Sequence, residues 1–149
     1  MPTVDLPSRK IYLVPMHLSP ETLSKLEQLG LASLYLFGSR AQGIERKDSD
    51  YDFGVIMKDP RVLSAGTQEL YQNIYDLLQD AVNAKVNLDI VFLDRAPMQL
   101  RYHVIRYGKV LFDSDPRRRG NFIERTLIEH ADFEPHRRRF EEAILARIP

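Results

Sequence analysis

The sequence predicts an α/β fold, because segments with helical periodicity alternate with short apolar runs typical of strands. Ser19-Pro20-Glu21 predicts a helix start, since it supplies a capping hydroxyl, a proline at the first helical position and an acid in the first turn. The nearly unbroken apolar run from Leu31 to Phe37 predicts a strand covered on both faces. Gly38-Ser39 then predicts a turn at the end of that strand.

The alternation continues along the rest of the chain. Period-two and period-3.6 patterns predict three further strands and two further helices before a helical C-terminal segment at about residues 115–149, with a break where proline removes a backbone donor. The predicted elements are a strand at Tyr51 to Met57, a helix at Leu70 to Ala81, a strand at Val86 to Leu93, a helix from Pro97 to Gly108, a strand at Lys109 to Phe112, and a helical break around Pro135.

Composition predicts one soluble domain spanning residues 1–149. The chain is 44% hydrophobic and 28% charged, and it has neither an apolar run long enough to cross a bilayer nor a hydrophobic N-terminal signal. With no cysteine, it excludes disulfides, thiolate zinc sites and a cysteine nucleophile. We therefore expect a cytoplasmic protein with no membrane partner, in which any metal is bound by oxygen or imidazole.

Charge is balanced overall but unevenly distributed. Residues 1–100 contain 10 Lys/Arg and 13 Asp/Glu, whereas residues 101–149 contain 11 and 8, so the two parts carry charges of −3 and +3. A neutral total does not favour a protein that grips long nucleic acid, although a local basic surface remains possible. The triplets Arg117 to Arg119 and Arg137 to Arg139 are either solvated helix faces or a surface for an acidic partner or RNA.

Asp50-Tyr51-Asp52 places two carboxylates on one face of a predicted strand. Two carboxylates this close repel each other unless a cation lies between them, so the pair indicates a metal site. The alternative is a solvated acidic turn in the polar run from Glu45 to Asp50.

Asp89 is a third acid, within the apolar segment from Val86 to Leu93. The hydrophobic residues on both sides predict a strand largely hidden from water, where an unpaired carboxylate would cost roughly several kcal/mol. We therefore expect Asp89 to share a site with Asp50 and Asp52, the alternative being a salt bridge to Arg or Lys.

Gly38-Ser39-Arg40 predicts an anion-binding turn. Glycine allows the backbone to approach a phosphate, the following amides point at it, and the hydroxyl and guanidinium add donors. Ten residues separate Ser39 from Asp50, enough for the chain to leave one strand and return to its neighbour at the same edge. Phosphate donors and metal ligands would then face one cleft.

These residues resemble the nucleotidyltransferase superfamily that includes DNA polymerase beta, and within it the minimal nucleotidyltransferase antitoxins that pair with HEPN toxins. The family signature is a Gly-Ser turn, ten residues, an Asp-x-Asp pair and a third acid on a later strand. The matching residues are Gly38, Ser39, Asp50, Asp52 and Asp89, in the segments LYLFGSRAQG (34–43), SDYDFGV (49–55) and VNLDIVFLD (86–94).

The resemblance implies a polymerase beta-like fold with a small mixed sheet, helices over one face and a helical C-terminus. It also implies a magnesium-dependent enzyme that transfers AMP from ATP. Asp50 and Asp52 would hold two Mg²⁺ ions about 3.5–4 Å apart. Asp89 would complete the hydroxyl-side metal site and accept the proton, while Gly38, Ser39 and Arg40 would bind the triphosphate.

The acceptor implied by the resemblance is a tyrosine hydroxyl on a cognate HEPN ribonuclease toxin, which the modification would silence. Two alternatives remain open. The chain could transfer nucleotides to RNA or tRNA, as other members of the superfamily do. It could also act as a non-catalytic antitoxin that inhibits its partner by occlusion.

Overall fold

The computed structural model describes residues 16–43, 50–82 and 86–147. Residues 1–15, 44–49, 83–85 and 148–149 lie outside these ranges, and residues 44–49 belong to the polar run before Asp50. The described elements, in chain order, are α1 (Pro20–Gln28), β1 (Leu31–Phe37), β2 (Tyr51–Met57), a 3₁₀ helix (Pro60–Ala65), α2 (Gln68–Val82), β3 (Leu88–Phe92), a 3₁₀ turn (Leu93–Arg95), α3 (Met98–Tyr107), β4 (Lys109–Asp113) and α4 (Pro116–Leu145).

Helix α1 begins where the capping residues predict it. The Thr22 N–H donates to Ser19 Oγ at 3.1 Å, and Pro20 occupies the first helical turn. Gly30 then adopts a positive φ of 91°, which turns the chain directly into β1. All seven residues of β1 are buried, which confirms the prediction of a strand covered on both faces.

The sheet is mixed and its strand order is β3-β2-β1-β4. Strand β1 lies in the middle and pairs antiparallel with β2 and β4, whereas β2 and β3 run parallel. The predicted mixed sheet and helical C-terminus are therefore confirmed.

Helices cover both faces of this sheet, so the expectation of helices over one face is wrong. Helices α1 and α2 pack on one face, which we call the α1–α2 face, and α3 and α4 pack on the other, the α3–α4 face. The second layer is supplied by Val104 of α3 and Phe122 of α4, which pack in one buried cluster with Tyr35 of β1. Buried side chains of the first face include Leu26, Leu34, Phe53, Ile74 and Leu78, and those of the second include Tyr35, Phe37, Ile56, Val104 and Phe122.

Helix α4 is continuous through Pro135, so the predicted break is also wrong. Proline has no N–H to donate and its ring crowds the carbonyl four residues earlier, but the ion pair between Glu134 and Arg137 spans the position. Glu134 lies 3.3 Å from His130 Nε2 and 2.8 Å from an Arg137 guanidinium nitrogen. Neither α4 nor any other helix within the described ranges is long and apolar enough to cross a membrane.

Candidate functional site

Three strands place the predicted site residues at one end of the sheet. The end of β1 lies beside the start of β2, because these strands are antiparallel, and Phe37 pairs with Asp52. Strand β3 runs parallel to β2, and Asp52 pairs with Asp89. Paired residues on neighbouring strands lie about 5 Å apart. The register therefore brings the turn after β1 together with the acids of β2 and β3.

Gly38 lies against the carboxylate of Asp52. Its φ of 80° is in the left-handed region, and a Cβ at this position would lie 2.4 Å from Asp52 Oδ2. Any side chain would therefore displace that carboxylate. The glycine therefore permits the close approach of the Asp52 carboxylate to the turn, and half-buried Ser39 follows directly in the chain.

The residues after Ser39 form a hydrogen-bonded turn. The N–H groups of Ala41 and Gln42 donate to the Gly38 carbonyl at 3.2 and 3.3 Å. Arg40 extends to Tyr51: its guanidinium carbon lies 4.0 Å from the ring centroid, and its Nη1 donates to the hydroxyl at 3.2 Å. Arg40, predicted as a phosphate ligand, thus contacts a residue of β2.

The pKa of the Asp52 carboxyl depends on both of the other acids. Partial burial raises the pKa of the Asp52 carboxyl above its usual value, and the negative charges of Asp89 and then Asp50 raise it further. The negative charges of Asp89 and Asp50 therefore both act on the Asp52 carboxyl. A cation placed among them would relieve this repulsion, which is the condition expected of carboxylates that hold a metal.

Asp89 is exposed, which corrects the expectation of a carboxylate in a buried strand. Strand β3 is at the edge of the sheet, and the second helical layer does not cover its first residues. The apolar residues Leu88 and Ile90 of this strand pack on the α1–α2 face. The apolar character of the segment therefore does not require burial of Asp89. Among the described residues no Arg or Lys forms an ion pair with it, so the alternative salt bridge is not observed.

The carboxylates are adjacent without enclosing an ion. Within the described part of the chain, no three acidic or histidine side chains are gathered closely enough to hold a metal between them as they stand. Asp50 and Asp89 are exposed, so their side chains are free to turn toward Asp52. The donor set, the carboxylates of Asp50, Asp52 and Asp89, is chemically suited to a hard divalent cation.

The raised pKa of Asp52 predicts a pH-dependent effect on stability. Because the folded state binds this proton more tightly than the unfolded state, the free energy of unfolding falls as pH rises from the ordinary value of 3.8 through the raised pKa. In metal-free buffer, Asp52→Asn should therefore raise the melting temperature at pH 7, and the gain should shrink toward pH 4. Asp132→Asn, which changes an exposed acid on α4, is the control. An equal gain at both pH values in Asp52→Asn would contradict the prediction.

Three of the six arginines in the two triplets form ion pairs with acids of this chain. Arg118 pairs with Asp94, Arg119 with Asp113, and Arg137 with both Glu134 and Glu141. These pairs reduce the free positive charge that the sequence offers to an acidic partner or to RNA.

The sequence patterns do not predict the contacts that Tyr51 and Asp94 make in the structure. The only signal for Tyr51 is its position between the two acids. Asp94 follows the strand of Asp89, where an acid among apolar residues could have indicated a buried partner. Its carboxylate accepts the Met57 N–H at 2.9 Å and pairs with Arg118.

Known proteins resemble this chain both in sequence and in fold. The family described as "Polymerase beta, Nucleotidyltransferase" matches residues 21–117. No curated protein sequence matches the chain. A crystal structure of a toxin–antitoxin with AMP-PNP is 25% identical with a TM-score of 0.61, covering 82% of this chain and 97% of that chain.

Two further structures share the fold at lower identity. In the structure of tri-AMPylated Shewanella oneidensis HEPN toxin in complex with MNT antitoxin, the matching chain is 21% identical to this one, with a TM-score of 0.56. The match covers 84% of this chain and 97% of that chain. A crystal structure of the toxin–antitoxin MntA-HepT is 20% identical, with a TM-score of 0.56 and coverage of 85% and 99%. At this identity the likeness establishes the fold alone.

Proposed function

Since the chain belongs to the polymerase beta nucleotidyltransferase family, we propose that it transfers AMP from ATP to a tyrosine hydroxyl of a cognate HEPN toxin and thereby neutralises that toxin. The observation that carries the proposal is the contact between the Gly38 turn and the Asp52 carboxylate, with Asp89 paired beside it. A phosphate-binding turn and an acidic cluster at one sheet end are the two parts that transfer at an α-phosphorus requires.

Each residue has a role in the proposed reaction. The backbone of the Gly38 turn and the Ser39 hydroxyl bind the triphosphate, since glycine permits close approach of the backbone. The tyrosine oxygen attacks the α-phosphorus, forming a P–O bond, while the bond to the β-phosphate oxygen breaks and pyrophosphate leaves. Asp89, exposed at the edge of the sheet, accepts the proton of the attacking hydroxyl.

Magnesium fits this acidic group. Asp50, Asp52 and Asp89 would hold two Mg²⁺ ions, which supply charge neutralisation at the phosphates and at the attacking oxygen. The raised pKa of Asp52 supports this assignment, because the protein keeps like charges together that a cation would stabilise. Because positioning and charge neutralisation account for most of the chemistry, no nucleophilic side chain is needed.

A protein acceptor suits the surface of α4. The second half of this helix exposes large apolar side chains, with Phe140 68% and Leu145 64% exposed. Within the described ranges no element covers them, and such exposure is typical of protein contact surfaces. The similar structures are also those of toxin–antitoxin complexes, one with an AMPylated toxin.

Two other functions remain to be tested against this one. Transfer to RNA or tRNA requires a basic surface, but Arg118, Arg119 and Arg137 are paired within the chain. Inhibition by occlusion requires no acids at all, yet Asp50 and Asp89 lie near enough to Asp52 to raise its pKa.

The acceptor is tested by incubating the protein with α-labelled ATP and Mg²⁺, together with either the purified cognate toxin or total tRNA. We expect label on the toxin only, and none without Mg²⁺. Glu69→Gln should label the toxin at the normal rate, because Glu69 is an exposed acid in the first turn of α2, outside both the acidic group and α4. Label on tRNA in place of the toxin would replace the proposed acceptor with RNA.

A further inference from the structure

The structure assigns to Tyr51 the role of a positioning residue, which holds the Gly38 turn, through Arg40, at the separation from Asp50 and Asp52 that Mg²⁺-ATP requires. This inference rests on the proposed function. It gives neither Tyr51 nor Arg40 a direct contact with the nucleotide.

The contact between Arg40 and Tyr51 joins the two halves of the site. Arg40 follows Ser39 directly, and Tyr51 lies between the two acids. Their contact therefore joins the two ends of the ten-residue segment between Ser39 and Asp50. The guanidinium both covers the ring, 4.0 Å from its centroid, and donates to the hydroxyl at 3.2 Å. Two simultaneous contacts fix the guanidinium in direction as well as distance.

Tyr51 is itself firmly placed. Its ring stacks on Phe53, with centroids 6.1 Å apart and an interplanar angle of 16°. Its N–H donates to the Asn87 carbonyl at 3.0 Å, immediately before β3. Tyr51 therefore connects the strand of Asp52, the strand of Asp89 and, through Arg40, the Gly38 turn.

The contact between Arg40 and Tyr51 lies on the side of the sheet opposite the acids. Side chains alternate along a strand, so Tyr51 points away from Asp52 and packs with the core of the α1–α2 face. Ala41, the next residue after Arg40, is buried in the same core. The turn is thus anchored from behind at two successive residues, and the face that bears the carboxylates stays open to a substrate.

A double-mutant cycle on Mg²⁺-ATP binding, measured by calorimetry, tests the inference. Tyr51→Leu and Arg40→Ala should each raise the Kd about tenfold, and the double variant should raise it no further, because both changes remove the same connection. Tyr51→Phe, which keeps the ring and loses the hydroxyl, should raise the Kd by about threefold.

The matched control is Tyr71→Leu. Tyr71 is half-buried on the same face and packs edge-on to Phe92, with centroids 6.4 Å apart, but it belongs to α2. This variant should lower the melting temperature comparably to Tyr51→Leu and leave the Kd unchanged, which separates positioning from general stability.

The possible results are distinct. A Kd raised about a hundredfold in the double variant would mean that Arg40 binds phosphate independently, and would overturn the inference. An unchanged Kd in Tyr51→Leu would overturn it as well, while leaving the proposed function intact. Failure of the unsubstituted protein to bind Mg²⁺-ATP would overturn the proposed function, and the inference with it.

Discussion

Asp52→Asn is expected to lower AMP transfer by at least about a thousandfold, the scale of losing a group that neutralises charge in the transition state. Asp52 is the acid that contacts Gly38 and pairs with Asp89, so it lies between the phosphate turn and the proposed base. Asp50→Asn should have an effect of the same order, because Asp50 immediately precedes β2 and its charge contributes to the raised pKa of Asp52.

The loss should be confined to chemistry. Removing a negative charge from a group of mutually repelling carboxylates does not destabilise the metal-free fold, so the free energy of unfolding should be unchanged or higher. Initial rates with saturating Mg²⁺-ATP, measured beside urea titrations, separate the two effects. Near-normal magnesium-dependent turnover in both variants would exclude the two-metal assignment.

The second large effect is expected at Asp94, far from the acids. Its side chain is 5% exposed and binds Arg118 and the Met57 N–H, while Arg118 Nε donates to the Met57 carbonyl at 3.1 Å. This network attaches α4 to the end of β2. Asp94→Ala leaves a guanidinium and a backbone N–H without their partner, and should lower the free energy of unfolding by about 3–5 kcal/mol.

A solvent-exposed pair provides the comparison for Asp94. Lys58 and Glu27 lie 3.3 Å apart with side chains 38% and 55% exposed, so Glu27→Ala should cost less than about 1 kcal/mol. Urea denaturation of both variants measures the difference. If the two variants lost similar free energy, the Asp94 network would not be what fastens α4 to the sheet.

Local signals in the sequence account for most of the fold. Ser19 caps α1 because its hydroxyl contacts only residues three positions away, and the burial of β1 follows from its uninterrupted apolar residues. The proximity of the turn after β1 to the start of β2 was also predictable, because only ten residues separate Ser39 from Asp50 and so limit the distance between the two strand ends.

Other features depend on contacts distant in sequence. The exposure of Asp89 follows from the edge position of β3, which strand order decides and an apolar run does not reveal. The second helical layer depends on where α3 and α4 pack, and α4 continues through Pro135 although proline is a local signal for a break. Likewise, no local sequence signal indicates that the Arg40 guanidinium lies over the Tyr51 ring, because residues 44–49 lie between the two in the sequence.

Covalent silencing of a partner is tested most directly by mass spectrometry of the cognate toxin co-expressed with this protein. AMP adds negative charge and bulk to a tyrosine, which would oppose binding of RNA phosphate nearby. We predict AMP on a toxin tyrosine and loss of ribonuclease activity, with neither change when Asp50→Asn is co-expressed. An unmodified toxin that Asp50→Asn inhibits as well as the unsubstituted protein does would contradict the account and establish occlusion as the mechanism.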